Sequence, residues 1–356
     1  MAWQRHFTLV VTAIFLITSG ICGLWWFYWP SYHRSQVLKE AERLLSSGQI
    51  AEADTIVLAS LKSELDDMPM QFLHARILRR LGQHAQAGMA LARATKLGLP
   101  EKDGMREFVL NEASGNFNRL EPALKQLLES NPDDVEVEEA LAEGYGRSQR
   151  WQEAERANGR MLELEPGRHE IRLARGKARL ELGRYDGAAA DFKEYLANVP
   201  DHFEARLLLA HCFLSNTHIA EAQKELSQCR RLQPTHPGPL IGLANCALEM
   251  GELENAQTLI QEARILGPGD PLVLHVQGSL YLRRRRYDLA VPLYETILKS
   301  NPRDKQAHLK LAQALSQTGE QKRAQEHQEA FQQLDREDAE RERRRRVGGP
   351  ATHAAS

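Results

Sequence analysis

Cysteine is scarce in this chain, with four residues in 356, and one of them lies in an apolar N-terminal stretch. That is too few for a disulfide framework. Aromatic residues make up 6%, and many of them crowd into the first 32 positions. Net charge is nearly absent, at −2, which argues against a general nucleic-acid binder, since such a surface must be basic. Catalytic signatures are missing as well. His169-Glu170 opens like the zinc motif H-E-x-x-H, but Leu173 stands where the second ligand belongs. Gly176-Lys177 lacks the earlier glycine of a phosphate loop, and no C-x-x-C pair or G-x-S-x-G elbow occurs. The expectation is a protein that is not an enzyme, with no cofactor, no metal and no small-molecule substrate.

Long apolar runs are confined to one place. Residues 1–6 form a short tail, and Phe7 to Trp29 is a run of 23 residues without a charge. As a helix it would be about 34 Å long, enough for a hydrocarbon core of about 30 Å. Trp25, Trp26, Phe27, Tyr28 and Trp29 cluster at its far end, where amphipathic rings favour a membrane interface. Pro30 then ends the helix, and 30–33 is a linker. Cleavage after Thr18-Ser19-Gly20 is the competing reading, but it would leave LWWFYW on a soluble product. A lipoprotein site at Cys22 fits poorly because Ile21 precedes it. Residues 7–29 are therefore expected to be one uncleaved transmembrane helix. Arg34, Lys39 and Arg43 after the span, against Arg5 before it, lean towards a cytoplasmic domain. The layout resembles a bacterial signal anchor, which places the large domain outside the cytoplasm, in a periplasm-like compartment. The second orientation is favoured here.

Beyond the linker the chain repeats. Pro132, Pro166, Pro200, Pro234, Pro268 and Pro302 stand 34 residues apart, and a fixed period of this length marks a repeat architecture. Nine units follow: 34–67, 68–100, 101–134, 135–168, 169–202, 203–236, 237–270, 271–304 and 305–338. Position 8 of a unit is small in eight of them (Ala41, Ala75, Ala142, Gly176, Ala210, Ala244, Gly278, Ala312). Position 20 is small in the same eight (Ala53, Ala87, Ala154, Ala188, Ala222, Ala256, Ala290, Ala324). Position 15 is Gly48, Gly82, Gly115, Gly183, Gly251 or Gly319 in six. Apolar spacing predicts helices over positions 1–14 and 18–31. The small residues let the paired backbones approach, and the glycine suits a left-handed helix end. Asp270-Pro271 has the form of an N-cap followed by Pro at the first helical position.

These columns resemble the tetratricopeptide repeat, over residues 34–338. The resemblance implies an all-α, right-handed helical solenoid, here preceded by one N-terminal transmembrane helix. It also implies a concave face that binds proteins or peptides, lined from first-helix positions 2, 5, 9, 12 and 13. Those columns nominate Leu173, Leu180, Leu207, His211, Leu214, Ile241, Asn245, Leu248, His275 and Leu282 as partner-binding residues. The carboxylate clamp of chaperone-adaptor repeats is not expected, since position 5 runs Glu139, Leu173, Leu207, Ile241 without a Lys.

The unit 101–134 is irregular. Phe108 and Leu120 occupy both small columns, and Gly104 and Pro122 fall inside helical stretches. Either the hairpin splays and changes the pitch, forming a hinge, or the two large side chains repack within the core. Residues 320–346 are polar, as a terminal helix facing water must be, and 339–356 is a charged helix end followed by a disordered tail. Cys212, Cys229 and Cys246 recur every 17 residues, either as buried packing residues or as a thiol metal site or disulfide. Arg283 to Arg286 and Arg343 to Arg346 end helices, where the dipole favours cations; a polyanion or lipid contact is the alternative. The functional expectation is a membrane-anchored scaffold for partner proteins in cell-envelope assembly. A scaffold at the cytoplasmic membrane face is the alternative, and an enzyme or metal protein built on the three cysteines is a distant one.

Overall fold

Each regular repeat becomes two helices joined by a three-residue turn. The structure, a computed structural model, describes residues 32–63 and 66–347. The apolar run 7–29 and the tail from 348 lie outside the described residues. Among the described residues no helix is long and apolar enough to cross a membrane. The chain divides into two units, up to Gly144 and from Tyr145 onward.

The first unit holds α1 (32–46), α2 (Ile50–Ser63), α3 (Met68–Arg80), α4 (His84–Lys96), α5 (Glu101–Ser130) and most of α6 (Val135–Arg147). The second continues with α7 (Trp151–Leu164), α8 (His169–Glu181), α9 (Tyr185–Asn198), α10 (Phe203–Ser215) and α11 (Ile219–Leu232). It closes with α12 (Pro237–Glu249), α13 (Leu253–Leu266), α14 (Pro271–Arg283), α15 (Tyr287–Ser300), α16 (Lys305–Thr318) and α17 (Gln321–Val347). The described residues form an all-α solenoid of stacked helical pairs. Within the second unit α8 packs on α9, α9 on α10 and α10 on α11, so each pair covers the next.

The turn chemistry explains why second helices begin one residue before the expected position 18. Gly183 has φ +69°. Its N–H donates to the Leu180 carbonyl at 2.9 Å, and the Arg184 N–H donates to the Arg179 carbonyl at 2.8 Å. This is a Schellman closure, with the left-handed residue just past the helix end. The closure persists where no glycine is available: Gln149, Thr217 and Arg285 adopt φ of 56°, 58° and 57° at the same position. At the other end of the pairs, Asp270 caps α14 by accepting from the Leu272 N–H at 2.8 Å. Asp304 likewise accepts from Ala307 at 2.9 Å.

The small columns do the packing expected of them. Ala188, Ala222, Ala256 and Ala290 are fully buried. A Cβ added to Gly278 would lie 2.6 Å from the Tyr294 ring, and one added to Gly176 would lie 2.7 Å from Phe192. Both rings occupy position 24. Where position 8 is Ala210 or Ala244, position 24 is Leu226 or Ile260, each 2% exposed or less. In these four hairpins the two columns trade volume, a small residue at one facing a larger one at the other. Each such side chain contributes roughly 1.5–3 kcal/mol by burial.

The repeat 101–134 does not form a hairpin with a left-handed turn. Gly115 lies inside α5, whose path is broken at Asn116 (φ −125°, ψ 37°). Phe108 is half exposed instead of filling the contact. The inward positions one turn apart go to Glu107 and Asn111. Arg79 Nε donates to Glu107 Oε1 at 2.6 Å, and Asn111 Nδ2 donates to the His84 carbonyl at 3.1 Å. Further along α5, Phe117 meets Gly144 so closely that a Cβ there would lie 1.9 Å from the ring. Phe108 therefore does not repack within the core. Phe108 turns outward because polar partners on α3 and α4 claim the inner face.

Around Glu107 a charge network replaces the apolar contact. Arg76 and Arg79 each reach Glu136 at 3.1 Å. Arg106 grips Asp134 through two bonds of 2.8 Å and reaches Glu136 at 3.0 Å. Burial pushes the Glu136 carboxyl up, but Arg79, Arg76 and Arg106 together hold it down at about 2. Burial wins at Glu107, whose carboxyl is raised despite Arg79.

Candidate functional site

The nominated residues separate by burial. Leu173, Leu180, Leu207 and Leu214 are half-buried and pack against the cluster of Phe192, Leu209 and Cys212. Each shows one edge outward from α8 or α10. Ile241 and Leu248 belong to the core with Leu240 and Ile260. Leu282 lies in the cluster of Tyr294 and Ile297. These three are corrected from surface to core. Positions 5 and 12 flank the contact between successive first helices, and α10, α12 and α14 pack on one another. Ile241, Leu248 and Leu282 are the members of those columns that their neighbours cover.

The polar nominees behave differently from one another. His211 is exposed, with its ring edge-on to Tyr185 at 6.3 Å. Asn245 is half-buried on α12. His275 is committed to Asp304, with Nε2 and Oδ2 2.9 Å apart, and this ties α14 to the cap of α16. Burial pushes the Asp304 carboxyl up, but the Ala307 N–H and His275 bring it below its ordinary value. Two ion pairs join successive first helices: Lys177 to Glu204 at 2.8 Å, and Arg283 to Glu249 at 2.5 Å. The hydrogen bond from Lys177 holds the Glu204 carboxyl below its usual range.

Cys212, Cys229 and Cys246 are unpaired and fully buried. Burial pushes all three thiols up to about 11, so none is poised as a thiolate ligand or nucleophile. Among the described residues no group of three or more His, Cys, Asp or Glu is placed to hold a metal. Three arginines of the run at the end of α14 are also engaged. Arg283 holds Glu249, Arg284 holds Glu254 and the Leu253 carbonyl, and Arg286 holds Asp288. Arg285 takes the left-handed position.

Models described as tetratricopeptide repeat match residues 141–211, 218–280 and 275–340. The chain carries tetratricopeptide repeats. DnaJ homolog subfamily C member 3 of Gallus gallus is 20% identical over 277 residues, covering 74% of this chain and 51% of that protein. The chain thus spans about half the length of that curated relative. The crystal structure of the APC/C hetero-tetramer Cut9–Hcn1 aligns with 80% of this chain and 56% of that one, at 15% identity and a TM-score of 0.49. The crystal structure of yeast Tom70 aligns with 85% and 88%, at 14% identity and a TM-score of 0.42.

In the tetratricopeptide columns of the second unit, two exposed leucines went unread in the sequence. Leu272 at position 2 of α14 is 59% exposed, and Leu309 at position 5 of α16 is 39% exposed. An apolar residue at either position was the available signal. The first-helix face of the second unit therefore offers apolar edges and His211, not a continuous leucine stripe.

Proposed function

We propose that the chain is a non-enzymatic scaffold that captures a peptide or protein segment on the first-helix face of its second unit. The observation behind this reading is the exposure of Leu272, Leu309 and His211 in columns where packing does not require them. Extended or helical segments bind such faces through spaced apolar anchors. The uncharged run 7–29 supports a membrane anchor, with the solenoid outside the cytoplasm and a role in assembling an envelope complex. The basic residues Arg34, Lys39 and Arg43 favour a second reading, a scaffold at the cytoplasmic face.

A photo-crosslinking amino acid at position 211 or 272 tests the capture face in cells. A discrete crosslinked species from both positions, absent when the probe replaces the exposed Ile265 on α13, is the expected result. Equal crosslinking from position 265 would reject the face. A compartment-sensitive reporter fused after residue 346 decides the orientation. A signal outside the cytoplasm supports the envelope role, and a cytoplasmic signal replaces it with the second reading.

A further inference from the structure

The second helices α7, α9, α13 and α15 share a feature that α11 lacks. At repeat positions 25–29 they carry Glu163, Glu194, Glu262 and Glu295, paired with Arg160, Arg172, Arg230 and Arg323 respectively. The same stretch of α11 reads Ser227, Gln228, Cys229, Arg230, Arg231, without a carboxylate. Of the two carboxylates on α11, Glu221 stands in the first turn and Glu225 is bound to Arg206. A groove of about 790 Å³ opens here between α11 and α12, with Lys224, Arg230 and Arg231 along one side and Pro234 and Leu243 as its apolar part.

Of the three cations only Arg230 is answered, by Glu262 of the next pair at 2.6 Å. Lys224 and Arg231 have no ion-pair partner among the described residues. The negative end of the helix dipole accounts for arginines in the last turn of α11, but its reach does not extend two turns back to Lys224. Nor does the whole chain account for it, since its net charge is −2. Lys224, Gln228 and Arg231 form one stripe at helical spacing. The two unanswered cations are about 10 Å apart along the axis, which a polyproline-II chain, with three residues per turn and about 3.1 Å per residue, spans in about three residues with both end side chains on one face.

We propose that this groove docks an acidic peptide segment whose carboxylates, three residues apart, meet Lys224 and Arg231 while an apolar side chain between them rests on Leu243 and Pro234. Charge complementarity supplies register and approach, and the apolar contact supplies burial. The surface lies between a second helix and the first helix that follows it, and it uses none of His211, Leu272 and Leu309, so one chain can hold two segments at once.

The test is fluorescence anisotropy of the purified full chain with a labelled octapeptide carrying two Asp three residues apart and a Leu between them. Saturable binding that weakens with added salt is expected. Lys224→Glu with Arg231→Glu should weaken it at least about tenfold, with an unchanged melting curve. Replacing the peptide's Asp by Asn should do the same, while charge reversal at the exposed Lys299 on α15 and substitution at His211 should not. If the double reversal fails to fold, Lys224→Gln with Arg231→Gln takes its place. The proposal is overturned if either pair of substitutions leaves binding intact or if the Asn peptide binds equally. It is also overturned if phosphatidylserine vesicles bind through these residues while the peptide does not.

Discussion

Helix α5 and the pair α14–α15 occupy equivalent places in the repeat and solve the same packing problem with opposite chemistry. In α14–α15 a missing side chain makes the contact: Gly278 lets the fully buried Tyr294 ring lie against the backbone of α14. In α5 the inward residue is Glu107, 1% exposed, and its charge is answered by Arg79 from α3. Apolar contacts tolerate volume exchange, as Ala244 with Ile260 shows beside Gly278 with Tyr294. A buried ion network tolerates no such exchange, because each charge depends on its neighbours. The irregular repeat is therefore the more brittle of the two.

The sharpest way to break the comparison is Arg79→Ala. It strands Glu107 and removes one of the three cations on Glu136, at a cost of roughly 3–5 kcal/mol, readable as an earlier transition in urea. Glu107→Gln should cost less, because burial already raises that carboxyl towards its neutral form. Glu136 behaves oppositely: with its folded value near 2, its contribution is complete above the ordinary carboxylate range and is lost as pH falls through about 2. A variant Arg79→Ala as stable as the wild type would show that the network only decorates α5.

Gly278→Ala should cost about 1–3 kcal/mol by pressing a methyl into Tyr294. Adding Tyr294→Leu should recover much of that loss, since the double variant recreates the Ala210–Leu226 arrangement. Tyr294→Leu alone should destabilise by opening a cavity. The coupling between the two substitutions, measured by a double-mutant cycle, is expected to be favourable. Additive losses would mean that the columns do not exchange volume.

The repeat length and the small columns were legible in the sequence, because contacts within a 34-residue unit leave a periodic trace; the exchange of volume with position 24 emerged only from the packing. The replacement at α5 was legible only as an irregularity. Phe108 and Leu120 announced that the rule failed, but Glu107 at helical spacing reads as a solvated face. Its partner Arg79 lies 28 residues earlier, at a separation that no local pattern encodes. The candidate face was read less well for a related reason. Ile241, Leu248 and Leu282 share the columns of the half-exposed leucines, and only the packing of α10, α12 and α14 decides which of them the neighbours cover.

A smaller effect concerns the turns. Thr217 holds φ 58° where sibling turns have glycine, and a β-branched residue is strained there. Thr217→Gly should stabilise by about 0.5–1 kcal/mol after the glycine's own entropic cost. A melting temperature that stays put or falls would indicate that the threonine hydroxyl, which donates to the Asn216 carbonyl at 2.6 Å, compensates for the strain.

The gentlest probe is pH, and it acts at the end of the second unit. His308 and His327 join α16 to α17 with their Nδ1 atoms 3.0 Å apart. His308 Nε2 lies 3.0 Å from the Pro302 carbonyl and donates to it, so a neutral His308 presents its other nitrogen as an acceptor and His327 must donate. Burial holds the His327 imidazole below its ordinary value, with His308 and Arg323 adding to the shift and Glu326 and Glu295 opposing it. Unfolding releases the ring to water, where it takes up a proton more readily. Below about pH 6.5 the unfolded chain thus binds more protons, and stability falls as pH falls, by at most about 1.4 kcal/mol per unit for one ring. Above that range the ring contributes no slope. His74 on α3, lowered chiefly by its burial, acts with the same sign, so the wild type must be compared with His327→Gln across pH 5–7. A flatter profile in the variant assigns the difference to the α16–α17 contact. Parallel profiles would mean that the His327 ring is as well hydrated in the fold as in the unfolded chain.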